Sequence, residues 1–157
     1  MKAGIDYIGN SVVWLLTGSQ DRVLTYMRGP KCRDERGLFD TGSEEIEFGE
    51  DPEDAVRRGL REEFGIDPLH IKAIHHLGCR SVLRTRQDGV RSHWMVWVFR
   101  VDYTGPEQLV VPETERDKIC SPTWRDRNEI LSLNLHSQVH HHLLMDLIYR
   151  MRTSPCS

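Results

Sequence analysis

The sequence predicts an α/β protein in which one mixed β-sheet carries a helix on either face. Three observations lead there. Apolar runs of strand length recur along the chain, starting with Ser11 to Thr17. A capped amphipathic helix interrupts them just after Asp51. The chain then closes on Leu135, Val139, Leu143, Leu147 and Met151, a four-residue apolar repeat with Leu144 and Ile148 beside it, which reads as a second helix.

Each element has its own signal. Ser11 to Thr17 has an unbroken apolar centre from Val12 to Leu16, as expected of a buried strand. Gly18-Ser19-Gln20-Asp21 turns the chain, and Arg22 to Arg28 returns as the hairpin partner. Gly29 to Gly37 is polar and loop-like, and Leu38-Phe39-Asp40-Thr41 reads as a short strand. Asp51 stands at the N-cap position of the first helix with Pro52 at its first turn, and Glu53 and Asp54 complement the positive end of the dipole. Val56, Leu60 and Phe64 form its buried stripe, and Gly65 stops it. Ile71 to Arg84 reads as a strand with a bulge at Gly78, and Asp88-Gly89 as a hairpin turn. His93 to Val101 is apolar on both faces and belongs in the middle of the sheet. Glu107 to Val111 reads as a further edge strand, and Lys118 to Trp124 leads towards the last helix.

A chain of 157 residues is the size of one domain, so residues 1–157 are expected to form a single unit with a recognisable core over about 10–150. Apolar residues at 38% and charged residues at 29% describe a folded, soluble composition. A net charge of −3 gives no general attraction to nucleic acid or anionic membrane. No apolar run approaches the ~20 residues of a membrane span, and Met1 to Asp6 lacks the apolar core of a signal peptide. Cys32, Cys79, Cys120 and Cys156 are scattered without a C-x-x-C, which suits reduced thiols in a cytoplasmic protein.

The acidic loop and first helix, Gly42 to Ile66, carry the motif. They resemble the Nudix box, G-x5-E-x7-R-E-U-x-E-E-x-G-U with U aliphatic, at Glu50, Arg58, Leu60, Glu62, Glu63, Gly65 and Ile66. The departures are Glu44, where the box has its first Gly, and Gly59, where it has the Glu after Arg. Cys32-Arg33-Asp34-Glu35, Ser92-His93-Trp94, Glu115 to Trp124 and His136-Ser137-Gln138 resemble a Nudix subgroup with C-R-D-E, T-H-W, an acidic stretch ending in Trp, and H-S-Q at similar places. The resemblance implies a Nudix-type α/β/α sandwich. It also implies a hydrolase that splits the pyrophosphate of a small nucleoside diphosphate derivative, such as ADP-ribose, a nucleotide sugar or a nucleoside triphosphate, with relatives that are often homodimers.

Such a reaction needs hard divalent cations on the pyrophosphate oxygens, and carboxylates on one helix face suit Mg2+, with Mn2+ as an alternative. Glu62, Glu63 and Glu47 are the expected metal residues. Two Glu near the negative end of a helix gain nothing from the dipole, which favours a role other than capping. Glu63, Arg58 and Glu115 are the expected catalytic set, with Arg58 pairing to Glu50 and Glu115 supplying a carboxylate from another loop. Arg80, Arg84 and His93, with Arg86 and Arg91 on the same hairpin, suit phosphate recognition through forked donors, or form a solvated edge hairpin. Trp14, Trp94, Trp97 and Phe99 suit base stacking or the core. No basic stripe with interleaved aromatics argues for RNA. Consecutive helical residues point in different directions, so His140, His141 and His142 read as mostly exposed. Gly59 leaves two readings open: a working enzyme that takes its carboxylate from elsewhere, or a catalytically impaired Nudix-fold module that binds a nucleotide or a protein.

Overall fold

The computed structural model describes residues 1–154 of the chain. Seven strands join one sheet: β1 (Gly9–Thr17), β2 (Val23–Arg28), β3 (Phe39–Asp40), β4 (Ser43–Glu45), β5 (Ile71–Thr85), β6 (Arg91–Tyr103) and β7 (Ile119–Arg125). The main order is β3-β2-β1-β6-β5, with β4 added to β1 and β7 to β2. β1 runs parallel to β6, and the other pairs are antiparallel, so the sheet is mixed. The helices are α1 (Pro52–Phe64), α2 (Arg127–Leu131) and α3 (Val139–Thr153). None of them is long and apolar enough to cross a membrane.

Alternation along β1 divides the core. Val12, Trp14 and Leu16 face α1, where they meet Val56, Leu60 and Phe64. Leu15 packs with Ile130, Val139 and Leu143 of the other two helices, and Val13 with Val82, Val96 and Val98. This two-faced burial explains the unbroken apolar run of β1, as expected for a strand covered on both sides. α1 ends where Gly65 adopts φ 65°, and its N–H reaches the carbonyls of Arg61 and Leu60. Asp51 holds the N-cap place with extended backbone, but its side chain makes no capping bond. The β5–β6 hairpin turns at Gly89, φ 81°, and β5 shifts register between His76 and Gly78.

The wedge between β1 and β2 positions the site. These strands share only the Thr17–Val23 pair and then diverge. β4 follows β1 from Ser11 to Val13, while β3 and β7 follow β2. The gap between the two groups becomes a cavity.

Several expected elements differ. Residues 107–111 form no strand; Glu107 instead pairs with Arg22 at 2.5 Å and gives its carbonyl to the Trp124 indole. Residues 119–125 form β7 rather than a lead-in to the helix. β4 and α2 were not expected; α2 opens with a capping box between Asp126 and Glu129. α3 starts at Val139, leaving Leu135 in the preceding segment. Its buried positions are Val139, His142, Leu143 and Asp146, so His142 is buried rather than exposed. Leu144, Leu147, Ile148 and Met151 face outward instead. The reason is electrostatic: Asp146, wholly buried, draws Arg127 to 2.5 Å, Arg150 to 3.1 Å and Arg100 to 3.6 Å, which turns the helix. Cys32, Cys79 and Cys120 are free thiols, and Cys156 lies outside the described residues.

Candidate active site

The wedge encloses a cavity of about 490 Å³. Val13, Val82, Trp94 and Val96 give it an apolar wall. Glu44, Glu63 and Glu115 line the side towards α1 and the Glu113–Glu115 turn, and Asp40 of β3 lines the cavity as well. Lys31, Arg33 and Lys118 stand at the same opening. His136, Gln138 and His142 approach from the α3 side.

Arg58 organises the acidic side. Its Nε and Nη2 donate to the two carboxylate oxygens of Glu50 at 2.8 and 2.9 Å, a bidentate pair. Nη2 also donates to the Glu45 carbonyl at 2.7 Å, tying β4 to the helix. Nη1 lies 3.6 Å from both Glu44 and Glu62 and 3.9 Å from Glu47. The Arg58 hydrogen bond holds the Glu50 carboxyl below its usual range. Glu50 also accepts the Glu47 N–H, so loop, strand and helix are fixed around one guanidinium.

Glu63 is different. Its Oε2 is shut off from solvent and has no hydrogen-bond partner. Burial, then the charges of Glu44, Asp40 and Glu115, push its carboxyl well above the usual range, with Lys118 opposing. Glu115 is bridged by the Lys118 ammonium at 3.1 and 3.2 Å. Glu62 and Glu47 flank Arg58 on the outer side, half or more exposed, and do not line the cavity. Among the described residues, no three His, Cys, Asp or Glu side chains form a ready ion cage.

The opposite wall carries a continuous ion-pair network. Arg28 donates to Asp40 at 2.8 Å and to Asp34 at 3.3 Å. Arg84 reaches Asp34 at 2.8 Å and also binds Glu35, which pairs with His136 at 2.7 Å and accepts the Ser137 N–H. The C-R-D-E and H-S-Q segments are thus two halves of one ion-pair network. Arg84 lines the cavity, yet its donors are already taken. Arg80 donates to Gln138, and His93 lies on the opposite sheet face from Ser92 and Trp94, its Nε2 2.8 Å from the Ser81 hydroxyl. Neither Arg80 nor His93 lines the cavity. Arg33, which does, has no ion-pair partner among the described residues; its place in Cys32-Arg33-Asp34-Glu35 was the available signal.

His142 was also missed by sequence reasoning. Burial holds its pKa down to about 3, so the ring is neutral, and neither nitrogen has a partner. Trp14, considered for base stacking, is fully buried beneath α1, and Phe99 is core as well; Trp94 is the one of the four that borders the cavity.

A mixed sheet between helices, with an arginine-centred acidic loop and helix beside a polar cavity, defines an α/β/α sandwich whose candidate site lies at that loop and helix. The chain belongs to the Nudix family: the NUDIX domain model matches residues 8–147. No curated protein matches it. Solved structures with the same fold include a MutT Nudix hydrolase from Burkholderia pseudomallei, at 19% identity and TM-score 0.71, covering 89% of this chain and 98% of that one. The dihydroneopterin triphosphate pyrophosphohydrolase of E. coli aligns at 17% identity and TM-score 0.64, over 88% and 92%. An Ap4A hydrolase of C. elegans aligns at 12% and 0.62, over 90% and 98%.

Proposed function

We propose that the protein is a divalent-cation-dependent hydrolase that splits a phosphoanhydride bond in a small nucleoside diphosphate derivative. The observation that carries this reading is the unpartnered, buried Oε2 of Glu63 at the cavity wall, surrounded by Glu44, Asp40 and Glu115. A buried carboxylate among like charges is costly unless a cation joins it. The donor set is entirely carboxylate oxygen, which fits Mg2+ or Mn2+ rather than a softer metal. Glu63 and Glu62 would hold the ion, with Glu115 and Glu47 reaching it from the turn and the loop.

Bound there, the ion would neutralise phosphate oxygens and acidify the attacking water. The chain's own residues do the rest. Arg58 anchors Glu50 and the β4 carbonyl, so the acidic loop keeps its distance from α1. Arg33, Lys31 and Lys118 offer positive charge to phosphates at the opening, and Arg84 can join them by sharing a donor. Trp94 and the valine wall suit a flat, apolar base. Two of the solved relatives act, by their names, on Ap4A and on dihydroneopterin triphosphate, which agrees with a phosphoanhydride substrate. A soluble, cytoplasmic setting fits the composition.

A substrate panel of ADP-ribose, nucleotide sugars, nucleoside triphosphates and dinucleoside tetraphosphates, run with Mg2+ and Mn2+, tests the proposal. Cation-dependent release of a phosphorylated product that Glu63→Gln abolishes supports it. Turnover untouched by that substitution, or none on any substrate, removes it and favours a binding module.

A further inference from the structure

Gly59 lies in the interior of α1, is buried, and has no room for a side chain. A Cβ there would stand 2.5 Å from Cη2 and 2.8 Å from Cζ3 of Trp14, and 3.0 Å from the Cβ of Glu44. The indole is fully buried and also pressed against Gly42, where a Cβ would come within 2.4 Å of Nε1. Trp14 therefore cannot retreat, and Gly is the residue that the contact permits.

Glu44 comes from the other direction. It sits on β4 opposite Val12 of β1, and its stem occupies the ground beside Gly59. Its Oε1 accepts the Glu45 N–H at 2.9 Å and stands 3.6 Å from Arg58. It lines the same cavity as Glu63, and Arg58 Nη1 stands 3.6 Å from both Glu44 and Glu62. The box expects Gly at 44 and Glu at 59; here the two residue types are reversed, and the space left by one admits the other.

We propose that Glu44 supplies from β4 the carboxylate that α1 lacks at Gly59, so that Glu44 and Glu63 on the cavity wall, with Glu62 reaching them from the outer side of Arg58, form the cation site. The proposal rests on the hydrolase reading above but makes a separate statement about one residue. It assigns Gly59 to packing rather than to loss of function.

Mn2+ binding to the full chain, read by electron paramagnetic resonance of the free ion and by calorimetry, tests it without substrate. The parent protein, Glu44→Gln, Glu63→Gln and Glu53→Gln are compared; Glu53 pairs loosely with Arg57 in the first turn and is remote from the cavity lining. Glu44→Gln is nearly isosteric, and its melting curve without metal reports whether the fold persists. The expected result is an Mn2+ affinity weakened at least tenfold by Glu44→Gln, with Glu53→Gln unchanged. Affinity within twofold of the parent in Glu44→Gln, while Glu63→Gln loses binding, overturns the proposal and leaves the hydrolase reading standing. A parent that binds no Mn2+ at millimolar concentration overturns both.

Discussion

The two charged walls of the cavity are built on opposite terms. On the α3 side, Arg28, Asp34, Asp40, Arg84, Glu35 and His136 satisfy one another. Despite burial, His136, the Ser137 N–H and Arg84 hold the Glu35 carboxyl below its usual range. Behind the α1 side, one guanidinium faces Glu44, Glu47, Glu50 and Glu62, and on the wall itself Glu63 has no ion-pair partner among the described residues. A paired wall supports the fold. An underpaired wall stores repulsion that a bound cation can relieve, which is what a binding site for one requires.

That contrast can be broken from either side. Arg28→Met should have the largest effect on the fold, because it strands buried Asp40 and leaves Asp34 with Arg84 alone: about 3 kcal/mol lost in urea unfolding, with Mn2+ affinity kept. Glu63→Gln should act in the other sense. Turnover should fall at least a hundredfold, about 3 kcal/mol of barrier, while the melting temperature without metal rises as like charges part. Both readouts moving down together would mean that Glu63 is merely structural. Gly59→Ala should cost about 2 kcal/mol by overpacking against Trp14, measured by denaturant midpoint, and Gly59→Glu more, without gain in turnover.

The smallest effect is a pH slope. His142 has a folded pKa of about 3, below its ordinary 6.5. Between those values the unfolded chain binds a proton that the folded chain refuses. Its contribution to stability is therefore complete above pH 6.5 and declines as the pH falls, by about 1 kcal/mol between pH 6 and pH 5. His142→Leu should flatten that part of the profile in urea titrations; an unchanged slope would place the ring's proton balance elsewhere.

Local signals made much of the fold legible. The capped α1, the Gly65 stop, the Gly78 register shift, the Asp88-Gly89 hairpin and the doubly apolar β6 all announce themselves within a few residues. β4 did not, because Ser43-Glu44-Glu45 has no apolar alternation and is a strand only by pairing with β1. β7 was hidden by Pro122 and by Ser121, whose φ is 50°. In α3 the apolar period held at Val139 and Leu143 and failed at Leu147 and Met151, since the partners of Asp146 include Arg100 and Arg127 on other elements. The candidate site divides in the same way. The Arg58–Glu50 pair of the box forms as expected, whereas the pairing of Arg84 with Asp34 and Glu35, the aspect of His93 and the burial of His142 depend on tertiary packing.

The close approach of Gly59, Trp14 and Glu44 also constrains which neighbouring sequences can be reached. Positions 14, 44 and 59 are not independent. Glu at both 44 and 59 would force two stems into a gap of 3.0 Å, and Glu at 59 with the indole in place collides at 2.5 Å. Effects at such touching positions do not add. Return to Glu at 59 is therefore closed while Trp14 and Glu44 stand, and opens only after both have given way to smaller residues.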